Sequence, residues 1–408
     1  MKRILKQAFA VAGVLLLSTS LAANGLNLNS VGSKAIGMGG AFVGLADDYS
    51  AIFWNPAGMI KQEGPIFSLY GSAIMPHGTY EFAMAGINTE TESKAYPSGA
   101  IGYIKPLSDK VVVGILGYVP SGSGATWPGA DLTPLSSGIV LEWESMVGII
   151  ALSPAVAVRV TDQLTLGAAL NIYYGLLKIK RPGLVQYEED LTGMAVGGTI
   201  SAMFQPSEML SFGLTFKTPI SVKMKGDATM SGAGILGLSV TSDAERSADW
   251  PMWIGFGVAV KPMDRLTITA DLQYTDWKKL TDIPVTYENL AWQAAFAKAG
   301  KFELQWESKI QWRFGMEYRL NDIWALRAGY YYDPAPGPLE TANILLPQFT
   351  YNWATVGVGY HTDSISLDVA VEFGFGEDRE VPVGLKHGMP GIHGMSMVVP
   401  NIAFTYRF

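Results

Sequence analysis

The chain has 408 residues, no cysteine, and a net charge of −7 that becomes −10 once Lys2, Arg3 and Lys6 are removed with its leader. Absent thiols exclude a disulfide framework and thiol chemistry, and the acidic balance leaves no basic footprint for nucleic acid. Length alone would allow two or three soluble domains, but 46 glycines, 18 tyrosines and strand-like alternation over most of the chain favour one large β-structure.

Residues 1–22 read as a secretory signal peptide. Lys2, Arg3 and Lys6 form the basic start, residues 8–17 the apolar core, and Ser20-Leu21-Ala22 a small-x-small cleavage site. Cleavage falls after Ala22, with Ala23 as the alternative. The apolar core is too short to span a bilayer. No later run of 18 uncharged apolar residues occurs, so spanning helices are not expected.

Residues 23–60 form the second unit. The stretch NGLNLNSVGSKAIGMGGAFVGLADDYSAIFWNPAGM (24–59) is rich in glycine and small residues and has no helical or strand period. Such a segment cannot bury a core alone, so a compact plug enclosed by the rest of the chain is expected. A disordered connector is the alternative. Gly37-Met38-Gly39-Gly40 lacks the preceding strand, following helix and lysine of a nucleotide loop. Asn55, Pro56, Ala57 and Gly58 are expected to anchor the plug. Pro56 fixes its own φ and keeps Asn55 out of the helical region, while the Asn55 side chain can bond neighbouring backbone.

Residues 61–408 alternate apolar and polar over segments of about ten residues, the mark of strands with one face in lipid. Leu164, Leu166, Ala168, Leu170, Ile172 and Tyr174 share one face against Thr165, Gly167 and Asn171; Leu266, Ile268, Ala270 and Leu272 oppose Thr267, Thr269, Asp271 and Gln273. Six short turns, near residues 106–109, 161–163, 206–208, 262–265, 320–322 and 361–364, alternate with seven long connections, near 77–94, 121–137, 178–191, 225–246, 279–308, 334–349 and 380–396. Strict segregation of turn and loop lengths predicts an all-β, transmembrane, antiparallel up-and-down barrel of about fourteen strands.

Four places in the barrel invite a functional reading. The third strand carries apolar residues on both faces from Val111 to Val119, and Gly117, Pro120 and Gly122 either kink it or begin the second outer loop. In the loop 279–308, Trp292 and Phe296 lie on a short helix that forms either a greasy capture surface or a lid. Arg313, Glu317 and Arg327 face the lumen, because a charge on the lipid face costs about 2–4 kcal/mol. Setting Tyr318 opposite Trp324 places Arg327 opposite Gly315 and diagonal to Arg313 and Glu317. The cluster then either stiffens the wall or holds a ligand carboxylate. Finally, Ile402, Phe404, Tyr406 and Phe408 face lipid in the terminal strand.

The glycine-rich stretch closing on Asn55-Pro56-Ala57, the segment Trp324-Ala325-Leu326-Arg327-Ala328-Gly329-Tyr330 with Asp333-Pro334, and the strand ending at Phe408 together resemble the FadL/TodX family. Its members are outer-membrane transporters of long-chain fatty acids and aromatic hydrocarbons. The resemblance implies a hatch in the periplasmic mouth and a kinked third strand with a lateral gap. It also implies passive transport by loop capture, luminal binding, hatch rearrangement and lateral release. The implied setting is the outer membrane of a Gram-negative bacterium. The implied partners are a hydrophobic ligand (fatty acid or hydrocarbon), membrane lipid and lipopolysaccharide, and the barrel-assembly machinery that reads Phe408. A monomer is expected. The four histidines (His77, His361, His387, His393) have no ligand spacing and no nucleophile elbow occurs, so no cofactor, metal or enzyme activity is expected. A structural or adhesin-like surface barrel with a permanently closed plug is the rival.

Overall fold

The computed structural model describes Gly25, Leu26 and residues 31–408; the signal-peptide and cleavage readings lie outside them. Fourteen antiparallel strands close into a barrel. They are β1 (Ile66–Phe82), β2 (Tyr96–Ser108), β3 (Val111–Trp127), β4 (Trp143–Arg159), β5 (Leu164–Pro182) and β6 (Gln186–Ser207). β7 runs as Leu210–Lys217 and Ile220–Met230, and β8 as Thr241–Trp250 and Trp253–Met263. Then follow β9 (Leu266–Thr275), β10 (Lys309–Arg319), β11 (Trp324–Asp333), β12 (Tyr351–His361), β13 (Ile365–Gly376) and β14 (Gly391–Arg407). β7 and β8 are each broken at a proline, Pro219 and Pro251, which can donate no ladder bond. β14 returns to β1, from Ile66↔Arg407 to Glu81↔Ile392. Closure is what a bilayer demands, since unpaired backbone in hydrocarbon costs several kcal/mol per group.

Alternation decides the two faces. Leu166, Leu170, Ile200, Leu214, Phe256, Ile268, Phe314, Val369 and Phe404 form an outward apolar belt, while Thr165, Ser201, Thr215, Thr269, Arg313 and Thr405 are buried inside. Among the described residues no helix is long and apolar enough to cross a membrane. Phe408 sits outside, edge-on to Tyr406.

The six short turns join strands as expected, but the outer connections need correction. The stretch 178–191 is not a loop: β5 and β6 pair to Pro182↔Gln186 and close on residues 183–185. β7 and β8 likewise pair out to Thr229↔Thr241, and β1 and β14 to Glu81↔Ile392. Above the bilayer the wall still buries its inner face, at Leu177, Ile179, Tyr187 and Leu191. Its outer face meets water and carries charges such as the Lys178–Asp190 pair at 2.6 Å. Polar residues that mark the end of the lipid therefore do not mark the end of the strand.

Candidate binding cavity and luminal segment

Residues 31–61 lie inside the barrel, against the ends of the strands that carry the short turns. They contain α1 (Ser33–Gly37), α2 (Ala51–Trp54) and a 3-10 helix, Pro56–Lys61. The segment brings its backbone close to the wall where the wall has no side chain. A Cβ on Gly167, Gly213, Gly257, Gly315 or Gly329 would strike the backbone of Ala57, Val43, Gly44, Met38 or Gly39 respectively. Polar side chains then satisfy that backbone. Asp271 Oδ2 on β9 accepts from the amides of Phe42 and Val43, both at 2.9 Å. Gln273 Nε2 donates to the Gly40 carbonyl at 3.2 Å, and Thr355 Oγ1 accepts from the Gly39 amide at 3.1 Å.

Asn55 is extended (φ −160°, ψ 94°), and Pro56 opens the 3-10 helix behind it. Its Nδ2 donates to the Val43 carbonyl at 2.9 Å and to the Ala202 carbonyl of β6 at 3.1 Å. Its Oδ1 accepts from Ala57 N, which also donates to Ser201 Oγ at 3.0 Å. Gly58 packs against the backbone of Ala46 with no room for a Cβ. One residue thus ties two parts of the luminal segment to each other and to the wall.

The charged cluster differs from its expected arrangement. The β10–β11 register sets Glu317 directly opposite Arg327, and Gly315 opposite Gly329. The turn is longer than expected because Asn321 Oδ1 accepts from the amides of Ile323 and Trp324. Arg327 is fully engaged: Nε meets Glu317 Oε2 and Nη1 meets Asp368 Oδ1, each at 2.6 Å. His361 Nε2 also reaches Asp368 at 2.9 Å. Lys34 of the luminal segment pairs with Asp47 at 2.8 Å and approaches Glu317 at 3.9 Å. Arg313 is not part of this network. It donates to the Gly39 carbonyl at 3.0 Å and lies 4.2 Å from the Tyr331 ring centroid.

The third strand is interrupted, though not at all three expected residues. Gly117 is paired on both sides, with Ile101 and Leu152. The ladder to β2 ends at Ala100↔Tyr118, and the ladder to β4 jumps from Tyr118↔Ala151 to Ser121↔Ile149. Val119 and Pro120 form the bulge. Gly122 lies beyond it, its amide donating to the Leu26 carbonyl at 2.9 Å. Beyond Tyr118, β3 pairs only with β4, while Tyr96 to Gly99 of β2 pair only with β1. The chain ahead of β2 meets β3 where Glu92 N donates to the Thr126 carbonyl. A bounded window is left between β2 and β3. Tyr118 lies about 26 Å along its strand from the turn, or about 20 Å above it for a tilt of about 40°.

A cavity of about 350 Å³ opens at this window, lined on its two edges by Tyr96 to Ser98 and by Ser121 to Gly124. Its inner wall is aromatic and sulfur-rich: Phe349, Tyr351, Trp353, Met395 and Met397. Tyr331 and Trp353 stack at 5.4 Å and 11°. None of these wall residues was singled out from sequence, because they come from β12, the connection before it and β14, which no local period relates. Asp271 did leave a signal, as a lone carboxylate on the inner face of a spanning strand.

Trp292 and Phe296 are buried, which excludes the exposed capture surface and agrees with the alternative in which the helix packs down. They lie in α3 (Leu290–Gly300), where Trp292 Nε1 donates to the Ser239 carbonyl at 2.8 Å and the two rings meet edge to face at 5.3 Å. Arg246, ion-paired to Glu189 at 2.7 Å, donates to the carbonyls of Ile283 and Gly300 and clasps both ends of this loop. The aromatics therefore hold the loop down and offer no capture surface.

Residues 14–384 match the profile of the family described as outer membrane protein transport protein (OMPP1/FadL/TodX). The chain belongs to this family. It is 22% identical over 420 aligned positions to outer membrane protein P1 of Haemophilus influenzae, covering 88% of this chain and 89% of that protein. Its fold matches the crystal structure of a Pseudomonas aeruginosa FadL homologue with a TM-score of 0.80 at 18% identity, covering 94% and 100% of the two chains. It also matches the Ralstonia pickettii toluene transporter TbuX with a TM-score of 0.72 at 18% identity, covering 94% and 99%. Members of this family are outer-membrane channels for hydrophobic compounds, and the closed barrel with its outward apolar belt places this one in a Gram-negative outer membrane.

Proposed function

We propose that the protein is a passive channel that takes hydrophobic small molecules, long-chain fatty acids or hydrocarbons, into the luminal cavity and releases them sideways through the β2–β3 window into the bilayer. The observation that carries this reading is the continuity between an apolar cavity and an unpaired stretch of wall at the height of the lipid belt. An apolar solute gains about 25 cal/mol per Å² on leaving water and keeps that gain along such a route. The luminal segment is the hatch: it fills the periplasmic end, so a solute need not cross it. Leu26, which precedes it in the chain, accepts from the Gly122 amide beside the window. Transport is passive in this reading, and removal downstream drives the flux. Phe408 addresses the chain to the assembly machinery, and the barrel works as a monomer.

The test exploits the absence of native cysteine. Ser98→Cys on the window edge, once coupled to a bulky maleimide, is expected to reduce uptake of radiolabelled toluene at least tenfold (about 1.4 kcal/mol) in a barrel that remains heat-modifiable. Unchanged uptake refutes release through the window. Absence of uptake in the unlabelled, correctly inserted protein leaves a closed surface barrel.

A further inference from the structure

One connection crosses the outer mouth of the barrel. Residues 334–350 leave β11 at Asp333 and rejoin β12 at Tyr351, two residues that stand opposite each other. Their tip docks on distant wall: Trp127 Nε1 at the end of β3 donates to the Ile344 carbonyl at 2.9 Å, and Ser145 Oγ on β4 donates to the Leu345 carbonyl. Between β12 and β4 the wall runs through β13, β14, β1, β2 and β3. Those six strand spacings measure about 29 Å, whereas the six residue steps from Leu345 to Tyr351 reach about 21 Å at most. The segment therefore cuts across the lumen. Ile344 and Leu345 are buried against Trp127, Leu132 and Trp143. Asn343 Oδ1 turns the tip by accepting from the Leu345 and Leu346 amides at 3.0 and 2.8 Å. Pro347, Gln348 and Phe349 on the way back line the main cavity, so the segment covers it from outside.

Two opposed effects act on this cover. Apolar burial at the tip holds it down, and Arg379, fixed by its pairing with His393 of β14, clasps both legs by donating to the Gly337 and Gln348 carbonyls, each at 2.8 Å. Against this, Gln348 is only 6% exposed, and among the described residues neither its Nε2 nor its Oε1 has a hydrogen-bond partner. The amide is wedged over Gly337, where a Cβ would strike Oε1, beside Trp306 Nε1, which is also unpartnered among the described residues. Buried unpaired polar groups are a cost that water removes when the segment lifts. We propose that residues 334–350 are a lid: the tip undocks and swings out on its two legs at Gly337 and Gln348, and a solute enters the cavity from outside only while the lid is open. The proposal rests on the channel reading above and supplies its entrance.

The test uses intact cells and the absence of native cysteine. Leu345→Cys is expected to react slowly with a cationic methanethiosulfonate, at a rate set by the open fraction. Arg379→Met removes the clasp and should speed that reaction at least tenfold (about 1.4 kcal/mol). Gly337→Ala, which displaces the Gln348 amide, should do the same if the first variant does not assemble. Gln348→Met keeps the shape without the unpaired amide and should slow the reaction severalfold. Labelling that Gln348→Met does not slow, or that neither loosening variant speeds, overturns the lid. Ser145→Cys with Leu345→Cys, bridged by a short bifunctional methanethiosulfonate, should reduce uptake of radiolabelled toluene at least tenfold, and reductant should restore it. Undiminished uptake in the bridged protein overturns entry past the lid. If the unbridged, correctly inserted protein takes up no toluene, the channel reading falls and the entrance with it, while the labelling order still decides whether the segment opens.

Discussion

Asp271 is the sharpest test of how the hatch is held. One carboxylate oxygen accepts two backbone amides, Phe42 N and Val43 N, both at 2.9 Å, at a residue only 3% exposed. Asp271→Ala removes the acceptor and leaves two buried donors that water cannot easily reach. Each such loss costs about 1.5–3 kcal/mol, so this part of the hatch should loosen by about 3 kcal/mol or more. Amide exchange at Phe42 and Val43 should then accelerate by about two orders of magnitude. Asp271→Asn keeps one oxygen acceptor and should show a smaller effect. The barrel itself should stay heat-modifiable, because the β9 ladder to β10 is made by backbone, including Asp271↔Arg313. Residue-resolved hydrogen exchange on the detergent-solubilised protein measures this. Unchanged protection of both amides in Asp271→Ala refutes the claim that the carboxylate anchors the segment.

Arg327→Met leaves Glu317 and Asp368 without their shared guanidinium and should cost about 3–5 kcal/mol, read as a lower denaturant midpoint. It should change binding of a fatty acid and of its uncharged methyl ester to the same extent, and a selective change for the fatty acid would contradict a structural role. The hatch should also respond to pH. Burial pushes the Asp48 carboxyl up to about 6, against the opposing hydrogen bond from Ser50. The docked state therefore binds this proton more tightly than the undocked state does. Docking should gain stability as pH falls through about 6 toward the ordinary value of 3.8, and lose it as pH rises. Hatch peptides should exchange more slowly at pH 5 than at pH 7.5, after correction for intrinsic rates, and Asp48→Asn should reduce the difference.

Strand number, turn positions and the inward or outward sense of each spanning residue were legible in the amino-acid order. Side chains alternate with a period of two, and a charge in lipid is expensive, so Arg313, Glu317 and Arg327 had to face inward while Phe314, Phe404 and Phe408 faced out. The enclosed N-terminal segment was legible for a related reason, since it has too little apolar periodicity to fold without a container. Alternation, however, defines register only to within two residues. The Asn321 turn decided that Glu317, not Gly315, stands opposite Arg327, which converted a candidate ligand site into a saturated ion network. Beyond the bilayer the lipid constraint lapses, so strands such as β5 and β6 run on through residues that looked like loop. In the third strand, Pro120 announced a defect, but only the ladders of β2 and β4 show that the gap opens between β2 and β3 and that Gly117 takes no part. The cavity was beyond reach altogether: Ser98, Gly122, Trp353, Glu372 and Met397 become neighbours only when fourteen strands close, because no local period relates positions that far apart in the chain.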